Sequence, residues 1–456
     1  MGRLMHLMAA LLVMSLATPA CGAEDLAARA RRSLERGVEF FTTKVATQGG
    51  YLWWYSEDLQ ERWGETQATA SQVWVQPPGT PAVGEAFLRA YRATGDRRYL
   101  EAARAAARAL TWGQLESGGW DYRIDFDEKE SQRWYFRRDK GKLSPEEAAK
   151  RRNTSTFDDD NSQSALRFLM GVCQETKDAE IQDALDYGLA FLLKAQYPNG
   201  AWPQRYPPPK SGYGSYYTFN DDTIRDCVRT ALAAHRHTGR AEFLEAAKRA
   251  GEFILKAQQP EPQPVWAQQY DREMKPAWAR KFEPPSVCSS ESVGVMHTLI
   301  DLYIETGEER FLEPIPRALA WFERSQIAPN RWARFYELET NRPLYFTKKY
   351  ELVYTDHDLP THYSFQGEYG VRRFIARYEE VKKKGREAFL RPKESTPEHR
   401  AARAKALAPQ VEAVIAAQDP QGRWVRNGRI ECATFIRNLN TLSEYLELTR
   451  NAPAGK

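Results

Sequence analysis

The stretch that decides the fold runs from Thr94 to Trp120 and reads TGDRRYLEAARAAARALTWGQLESGGW. Between Thr94 and Gln114 the apolar residues recur at helical spacing, and a charged face runs alongside them. A Gly after the Thr suits the left-handed residue that ends a preceding helix, and Asp96 can cap the helix that follows. The stretch therefore predicts a helix end, a second amphipathic helix and the loop behind it.

The same arrangement returns along the chain, because a Thr is followed twenty residues later by a Gln four times. These pairs are Thr94 and Gln114, Thr176 and Gln196, Thr238 and Gln258, and Thr306 and Gln326. A motif Q-x-x-x-G-x-W follows at Gln114–Trp120, Gln196–Trp202 and Gln418–Trp424, with Asn330 in place of Gly at Gln326–Trp332. Repeats of this length predict helical hairpins stacked in series, and a toroid is the compact way to close them.

Two kinds of helix alternate in this repeat. The helices that precede each Thr are apolar on all sides, which predicts an inner ring, whereas the Thr-to-Gln helices have a charged outer face. We predict an all-α fold, an α/α toroid of five or six hairpins whose long loops form a cleft at one rim. The predicted inner helices are Val83–Ala93, Ser162–Glu175, Thr223–His237 and Val293–Glu305, and the predicted outer helices include Ala241–Lys256 and Phe311–Arg324.

Composition allows a large core and favours no nucleic-acid partner. Of 456 residues, 42% are hydrophobic and 28% are charged. The net charge of +4 neither requires nor excludes nucleic acid, and the sequence has no Lys/Arg tract. The 13 Trp and 22 Tyr are typical of proteins that stack on sugar rings, although core packing uses the same residues.

The first residues resemble a secretory signal. Arg3 precedes the apolar run Leu7–Leu16, and small residues follow as far as Ala23. We expect residues 1–23 to be a signal peptide and residues 24–456 to be one domain of an exported protein, secreted or periplasmic. That apolar run is too short to span a bilayer, so we expect no membrane span. Separately, we expect a monomer. Four cysteines remain, and buried thiols are favoured over a disulfide: Cys173, Cys227, Cys288 and Cys432.

Two acidic triplets precede neighbouring inner helices, Asp158–Asp160 and Asn220–Asp222. If the inner helices run the same way, these segments share one rim with helix N-termini, which favour anions. Oxygen ligands without nearby Cys or His suit Ca²⁺ rather than Zn²⁺. The alternative is that each triplet only caps its helix, but close carboxylates are costly without a cation. We predict a calcium site formed by Asp158, Asp159, Asp221 and Asp222.

Basic residues are predicted to face these acids across the cleft. They come from successive rim loops and include Arg205, Arg280, Arg334 and Arg342. Acids that bind a cation and arginines around one cleft together suggest an anionic polysaccharide. Trp202 is a further candidate for sugar contact, with packing in the core as its alternative.

Five segments in order resemble family 10 pectate lyases and cover roughly residues 49–378. They are NTSTFDDDNSQSALRFL at Asn153–Leu169, QYPNGAWPQRYP at Gln196–Pro207, TFNDD at Thr218–Asp222, WAQQYDREMKPAWARKFE with SSESV at Trp266–Glu283 and Ser289–Val293, and ARFYELETNRP at Ala333–Pro343. The resemblance implies an α/α toroid, Ca²⁺ dependence and β-elimination on polygalacturonate (pectate), with 4,5-unsaturated oligogalacturonates as products.

The resemblance also implies roles for single residues. Asp158, Asp221 and Asp222 match metal-binding acids, and Arg280 matches the catalytic base of the A-R-x-[YF]-E segment. Arg334 and Arg342 match substrate-binding residues. The sequence departs from the family in two places. Asp159 stands where the family usually has Asn, and LYFTKKYELVY at 344–354 replaces a stretch with more Gly and Arg.

Alternatives from other classes stay open at this point. A glycan-binding toroid without catalysis would keep the aromatic residues and lose the chemistry. A terpene-cyclase-like toroid would also have Q-x-x-x-G-x-W repeats and Asp-rich helix starts, but it needs an apolar, aromatic lumen. For Arg280, the alternative to a base with a lowered pKa is an ion pair with Glu283 or Glu291.

Overall fold

The computed structural model describes residues 25–390 and 396–450, so the predicted signal peptide lies outside the described residues. Fourteen α-helices are present in the described parts of the chain. They are α1 Leu26–Phe40, α2 Thr80–Thr94, α3 Arg97–Trp112, α4 Pro145–Lys150, α5 Asn161–Glu175, α6 Ala179–Lys194, α7 Thr223–Thr238, α8 Ala241–Ala257, α9 Ser289–Thr306, α10 Ile315–Arg324, α11 Val371–Lys384, α12 Glu387–Leu390, α13 Pro397–Ala416 and α14 Cys432–Thr449.

The long helices form two layers, as the alternation of apolar and amphipathic helices predicts. The inner helices pack side by side in the order α14, α2, α5, α7, α9 and α11. The outer helices are α1, α3, α6, α8, α10 and α13. Several of them pack on the inner helix that precedes them in the ring, with α3 on α2, α6 on α5, α8 on α7 and α1 on α14. The predicted all-α, α/α toroid fold is confirmed.

The turns between inner and outer helices follow the sequence signals. Gly239 ends α7 with a φ of 72°, and its N–H donates to the carbonyl oxygen of His235 at 2.8 Å. Asp178 caps α6 by accepting from the N–H of Ile181. Three predicted helix starts are wrong. The inner helices α2 and α9 begin earlier than predicted, at Thr80 and Ser289. The outer helix α10 begins later, at Ile315 rather than at Phe311. Pro314 has no N–H and disfavours helical geometry in the residue before it, so the helix starts after it.

In the motifs that begin at Gln114 and Gln196, the Gln side chain joins the loop to the next outer helix. The Nε2 of Gln196 donates to the carbonyl oxygens of Gly200 and of Ala246 on α8, both at 2.8 Å. Gly200 has a φ of 96°, and a Cβ there would lie 2.1 Å from the carbonyl oxygen of Arg249. Only glycine allows this approach.

Trp202 completes the motif from inside the core. It is fully buried, and its Nε1 donates to the carbonyl oxygen of Leu192 at 2.8 Å. The prediction that Trp202 contacts substrate is therefore wrong, because no sugar can reach a side chain without exposed surface. Trp202 instead packs in the core, which was the alternative to sugar contact.

The same motif joins the two ends of the described chain. Gln418 follows α13, and its Nε2 donates to the carbonyl oxygen of Gly422 at 3.0 Å and to that of Ser33 on α1 at 2.9 Å. The C-terminal outer helix α13 is thus linked to the N-terminal outer helix α1. This contact continues the ring across the chain ends.

Short antiparallel strands line the rim where the inner helices begin. The strands are β1 Trp54–Ser56, β2 Arg62–Trp63, β3 Gln72–Trp74, β4 Arg123–Asp125, β5 Ser155–Thr156, β6 Arg205–Tyr206, β7 Tyr217–Thr218, β8 Gln269–Tyr270, β9 Ser286–Cys288, β10 Trp332–Ala333, β11 Phe335–Glu337, β12 Pro343–Phe346, β13 Leu352–Val353, β14 Gln366–Gly367, β15 Val425–Arg426 and β16 Arg429–Glu431. A strand ahead of an inner helix pairs with a strand in the loop after the next outer helix, as in β3–β4, β5–β6, β7–β8 and β9–β11. The larger sheets have the orders β15-β16-β1-β2 and β13-β12-β11-β9, and β10 pairs with β14.

Two further features concern the thiols and the membrane. The four cysteines in the described chain are free thiols, and all except the half-buried Cys173 are buried. Among the described residues, no helix combines the length and the apolar character needed to cross a bilayer.

Candidate active site

The two acidic triplets adopt the same backbone conformation. Asp158–Asp160 and Asn220–Asp222 each form a single 3₁₀ turn directly before α5 and α7. The last two residues of each triplet have left-handed backbone, with φ values of 52° and 58° in the first and 50° and 55° in the second. Asp tolerates this region better than most side chains, but two successive left-handed residues still store strain, which is common at functional sites.

Matching threonines hold the two turns. The Oγ1 of Thr156 accepts from the N–H of Asp158 at 3.1 Å, and that of Thr218 accepts from the N–H of Asn220 at 3.0 Å. Both threonines lie in the short rim strands β5 and β7. The repeated fold thus presents two acidic turns side by side at one rim.

Three carboxylates meet between these turns. Asp158, Asp159 and Asp221 each offer an oxygen, and these oxygens all lie within 4.8 Å of one another. Asp158 is held from both sides, because Tyr122 Oη donates to its Oδ2 at 2.7 Å and Gln204 Nε2 donates to its Oδ1 at 2.8 Å. These donors fix one carboxylate before any ligand arrives.

The electrostatics of this group favour a cation. Desolvation in the rim and the neighbouring carboxylate of Asp158 raise the pKa of Asp159 to about 7 and that of Asp221 to about 6. Desolvation is the larger cause and the like charge of Asp158 adds to it, so a cation bound here would stabilise the ionised carboxylates. The described donor set contains only oxygen, so it fits Ca²⁺ and does not fit the N and S ligands that Zn²⁺ prefers.

Asp222 lies outside the group of three, which corrects the predicted set of four ligands. Its Oδ2 accepts from Nη1 of Arg225 at 3.0 Å. The equivalent residue of the first triplet, Asp160, likewise accepts from Arg167 on its own helix. The last acid of each triplet thus pairs with an arginine on the helix that follows it.

Arg280 lies beside the acids and forms an ion pair. Its Nε and Nη2 donate to the two carboxylate oxygens of Glu283 at 2.9 and 2.6 Å, and Glu283 is buried. The positive charge of Arg280 lowers the pKa of both Asp159 and Asp221, so it acts on the cluster. The pairing with Glu283 raises the pKa of Arg280. This direction is opposite to the lowered pKa expected of a base, and the predicted alternative of an ion pair with Glu283 is present.

A second arginine pair borders the cluster. Nη2 of Arg334 donates to Oε1 of Glu291 at 2.8 Å, and both side chains are largely buried. The ring of Tyr363 lies under the Arg334 guanidinium, 4.3 Å from its centroid. Burial raises the pKa of Glu291 to about 7, and the positive charge of Arg334 opposes that rise. Arg334 also lowers the pKa of Asp221, which places its charge near the cluster.

The remaining two predicted substrate residues occupy different positions. Arg205 is exposed on β6, directly across the strand pair from Thr156 and therefore beside the acidic turn. Arg342 is exposed at the far end of the β11–β12 hairpin, where its guanidinium lies 3.6 Å from the ring centroid of Tyr354. The structure brings Arg205 to the rim and leaves Arg342 outside the acid cluster.

Several site residues were missed in the sequence, although a repeat position marks them. Two of them are the second residue after a motif Trp and contact Asp158, namely Tyr122 after Trp120 and Gln204 after Trp202. Gln268, after Trp266, accepts from Tyr363 Oη at 3.4 Å. Arg334 is the corresponding residue of the next repeat, because it is the second residue after Trp332. Aligning the repeats on their Trp predicts this ring of polar residues.

The acids and Arg280 lie within a segment that matches a known family. The family model described as pectic acid lyase matches residues 126–331, which span Asp158 to Arg280. This segment, which is less than half of the chain, is similar to pectic acid lyases. The predicted family and enzyme class are confirmed by this match. Arg334, Arg342 and Tyr122 lie beyond the pectic acid lyase segment.

Three solved structures are similar to this chain, and the first of them shows the type of fold. D-mannose isomerase is 12% identical, with a TM-score of 0.50 over 95% of this chain and 99% of that one, which shows the fold alone. A point mutant of a family 10 polysaccharide lyase from Cellvibrio cellulosa, in complex with trigalacturonic acid, is 22% identical over 66% of this chain and 98% of that one, with a TM-score of 0.49. An α-1,6-mannanase from Salegentibacter is 11% identical over 93% and 100% of the chains, with a TM-score of 0.45. None of the curated proteins matches this sequence.

Proposed function

We propose that the protein is a pectate lyase that cleaves polygalacturonate by Ca²⁺-assisted β-elimination and releases 4,5-unsaturated oligogalacturonates. The observation that carries the proposal is the group formed by Asp158, Asp159 and Asp221, with Arg280 beside it, inside the pectic acid lyase segment. The neighbour crystallised with trigalacturonic acid supports an oligogalacturonate as the ligand. An acidic polysaccharide fits a rim where carboxylates can share a cation and arginines can pair with uronates.

The reaction requires removal of the C5 proton of a uronate, which is hard while the adjacent carboxylate carries its full charge. Bound Ca²⁺ would supply charge neutralisation at that carboxylate and so acidify the C5 proton. Asp158, Asp159 and Asp221 would hold the cation, and Tyr122 and Gln204 keep Asp158 oriented. The electron pair then forms the C4–C5 double bond, and the glycosidic oxygen leaves from C4.

Arg280 is the residue that we place at the C5 proton. Its side chain is 42% exposed, so part of the guanidinium faces the cleft while Glu283 holds the rest. The base role requires loss of a proton from a guanidinium whose pKa the ion pair raises. Turnover should therefore keep rising with pH through the alkaline range.

The experiment measures absorbance of the unsaturated uronate product with polygalacturonate, and with alginate and glucuronan as other polyuronates. We expect product from polygalacturonate, and we expect its loss on thorough chelation and in Asp158→Ala. The Asp160→Asn variant is the matched control, because Asp160 pairs with Arg167 and lies outside the group of three. Binding of polygalacturonate without unsaturated product would identify a glycan-binding toroid and refute the lyase. Activity that survives both chelation and Asp158→Ala would refute the calcium site.

We also propose that the protein is exported, to the periplasm or the medium. Support comes from Arg3, the apolar run Leu7–Leu16 and the small residues that follow. A polymeric pectate substrate is met outside the cytoplasm. Amino-terminal sequencing of protein recovered from periplasm and medium tests this, and a mature protein that begins at Met1 would contradict it.

A further inference from the structure

Tyr363 lies beside the arginine that we place at the C5 proton. It belongs to the loop between β13 and β14, beyond the pectic acid lyase segment that ends at residue 331. The end of this loop is anchored, because the N–H of Arg334 donates to the carbonyl oxygen of Phe365 at 2.8 Å and β14 then pairs with β10. Tyr363 is therefore held two residues from a fixed backbone contact with Arg334.

The hydroxyl group of Tyr363 reaches the acid that pairs with Arg280. Tyr363 Oη donates to Oε1 of Glu283 at 3.1 Å, and Oε1 of Gln268 is also within reach at 3.4 Å. The shorter bond goes to a charged acceptor and is the stronger of the two. A contact across 80 residues thus joins the loop after β13 to the Arg280–Glu283 pair.

The Arg280–Glu283 pair is otherwise held by bonds within four residues of the chain. Glu283 Oε2 accepts from the backbone N–H and from Nε of Arg280, and Oε1 accepts from Nη2. The N–H of Glu283 donates to the carbonyl oxygen of Arg280 at 2.8 Å. These bonds fix the shape of the turn but not its place in the cleft. The bond from Tyr363 ties the buried carboxylate, and with it the guanidinium, to the β10–β14 pair.

The ring of Tyr363 contacts both arginines that border the acids. Its centroid lies 4.3 Å from the guanidinium of Arg334 and 5.8 Å from that of Arg280. Both distances are within the range in which an aromatic face attracts a cation. The rings of Phe282 and Phe365 pack edge-on against it at 5.0 and 5.3 Å and hold its orientation. One side chain therefore sets how the two cations lie relative to each other.

We propose that Tyr363 is a positioning residue for the elimination, because its hydroxyl group holds Glu283 and, through it, the guanidinium of Arg280. This inference rests on the proposed lyase function. A reacting group displaced by about 1 Å can lose ~10²-fold in rate, so the place of Arg280 matters as much as its charge. Among the described residues, the hydroxyl group bonds to Glu283 and Gln268 and to none of the three carboxylates. The role therefore concerns the proposed base and not the metal.

The first test is steady-state kinetics of Tyr363→Phe on polygalacturonate. The ring stays under Arg334 while the bond to Glu283 is lost, so kcat should fall about tenfold and KM should change less than about twofold. The matched control is Tyr350→Phe. The ring of Tyr350 stacks on Phe282 at 5.4 Å, but its hydroxyl group has no hydrogen bond among the described residues, so kcat should change less than about twofold. Equal effects of the two variants, or a change in KM alone, would overturn the proposal.

Further measurements separate positioning from a structural role. In Tyr363→Phe, Ca²⁺ affinity by calorimetry should stay within about twofold and Tm within about 3 °C. In a Glu283→Gln background, Tyr363→Phe should lower kcat less than about twofold, because Gln has one acceptor oxygen and cannot form the two-oxygen pair with Arg280. An equal loss of kcat in both backgrounds, or a joint fall in Tm and Ca²⁺ affinity, would overturn the positioning role.

The outcome for the wild type separates this inference from the proposed function. Unsaturated product from the wild type, with kcat unchanged in Tyr363→Phe, refutes the positioning role and leaves the lyase standing. Binding of polygalacturonate by the wild type without unsaturated product refutes the lyase, and the positioning role with it.

Discussion

Replacing Asp159 with Asn tests the charge arrangement at the rim. A carboxylate oxygen of Asp159 lies within 4.8 Å of carboxylate oxygens of Asp158 and Asp221. The pKa of Asp159 is raised from 3.8 to about 7. This rise corresponds to about 4 kcal/mol of unfavourable free energy in the ionised cluster, since each pKa unit is about 1.36 kcal/mol. Screening by solvent at the partly exposed rim reduces this to about 2 kcal/mol.

The sign of the pH dependence follows from the raised pKa. A carboxyl whose pKa is higher in the folded protein destabilises the fold as pH rises from its unfolded value near ~4 to about 7, and this cost is constant above that range. Without a cation, Asp159→Asn should therefore be more stable than the wild type by about 2 kcal/mol at pH 8, and by less at pH 5. Asn also tolerates the left-handed backbone of this position, so little new strain is expected.

The assay is urea unfolding at both pH values, in chelator and in excess Ca²⁺. In Ca²⁺ the order should reverse, because the wild type binds the ion more tightly and binding stabilises the folded state. Asp222→Asn is the control, since Asp222 has the same left-handed backbone but lies outside the three-carboxylate group. It should lose its ion pair with Arg225 and show no gain at pH 8. If Asp159→Asn were less stable than the wild type at pH 8 in chelator, the proposed repulsion would be refuted.

Three further substitutions separate catalytic, metal-binding and structural roles. Arg280→Lys and Arg280→Ala should each lower turnover at least about a hundredfold with little change in oligogalacturonate affinity, whereas a fall in Tm with turnover retained would show that the pair with Glu283 is only structural. Tyr122→Phe removes the donor to Asp158 and should weaken Ca²⁺ affinity about tenfold by calorimetry; unchanged affinity would contradict that role. Trp202→Phe should lower the free energy of unfolding by about 2 kcal/mol and leave KM unchanged, because the indole is buried in the core. A raised KM at unchanged stability would instead indicate that Trp202 contacts the substrate.

The site was only partly predictable because spacing along the chain does not give side-chain direction. The triplets correctly place Asp158, Asp159 and Asp221 at one rim, yet the Asp222 side chain pairs with Arg225 on its own helix. Arg280 was predicted at the site, but the direction in which its pKa shifts depends on its hydrogen bond to the buried Glu283. These outcomes depend on local geometry of a few ångströms.

The sequence by itself determines the repeat. Helical periodicity, Gly at helix ends and the Q-x-x-x-G-x-W motif are local signals, and each corresponds to a hydrogen bond or a backbone angle close by in the chain, such as Gln196 to Gly200. The tertiary structure alone decides which polar groups meet. Tyr122 is 36 residues from Asp158, Gln204 is 46 residues away, and Arg377 is 80 residues from His297. Such contacts depend on how the hairpins pack around the ring, because burial and charge interactions act through space and not along the chain.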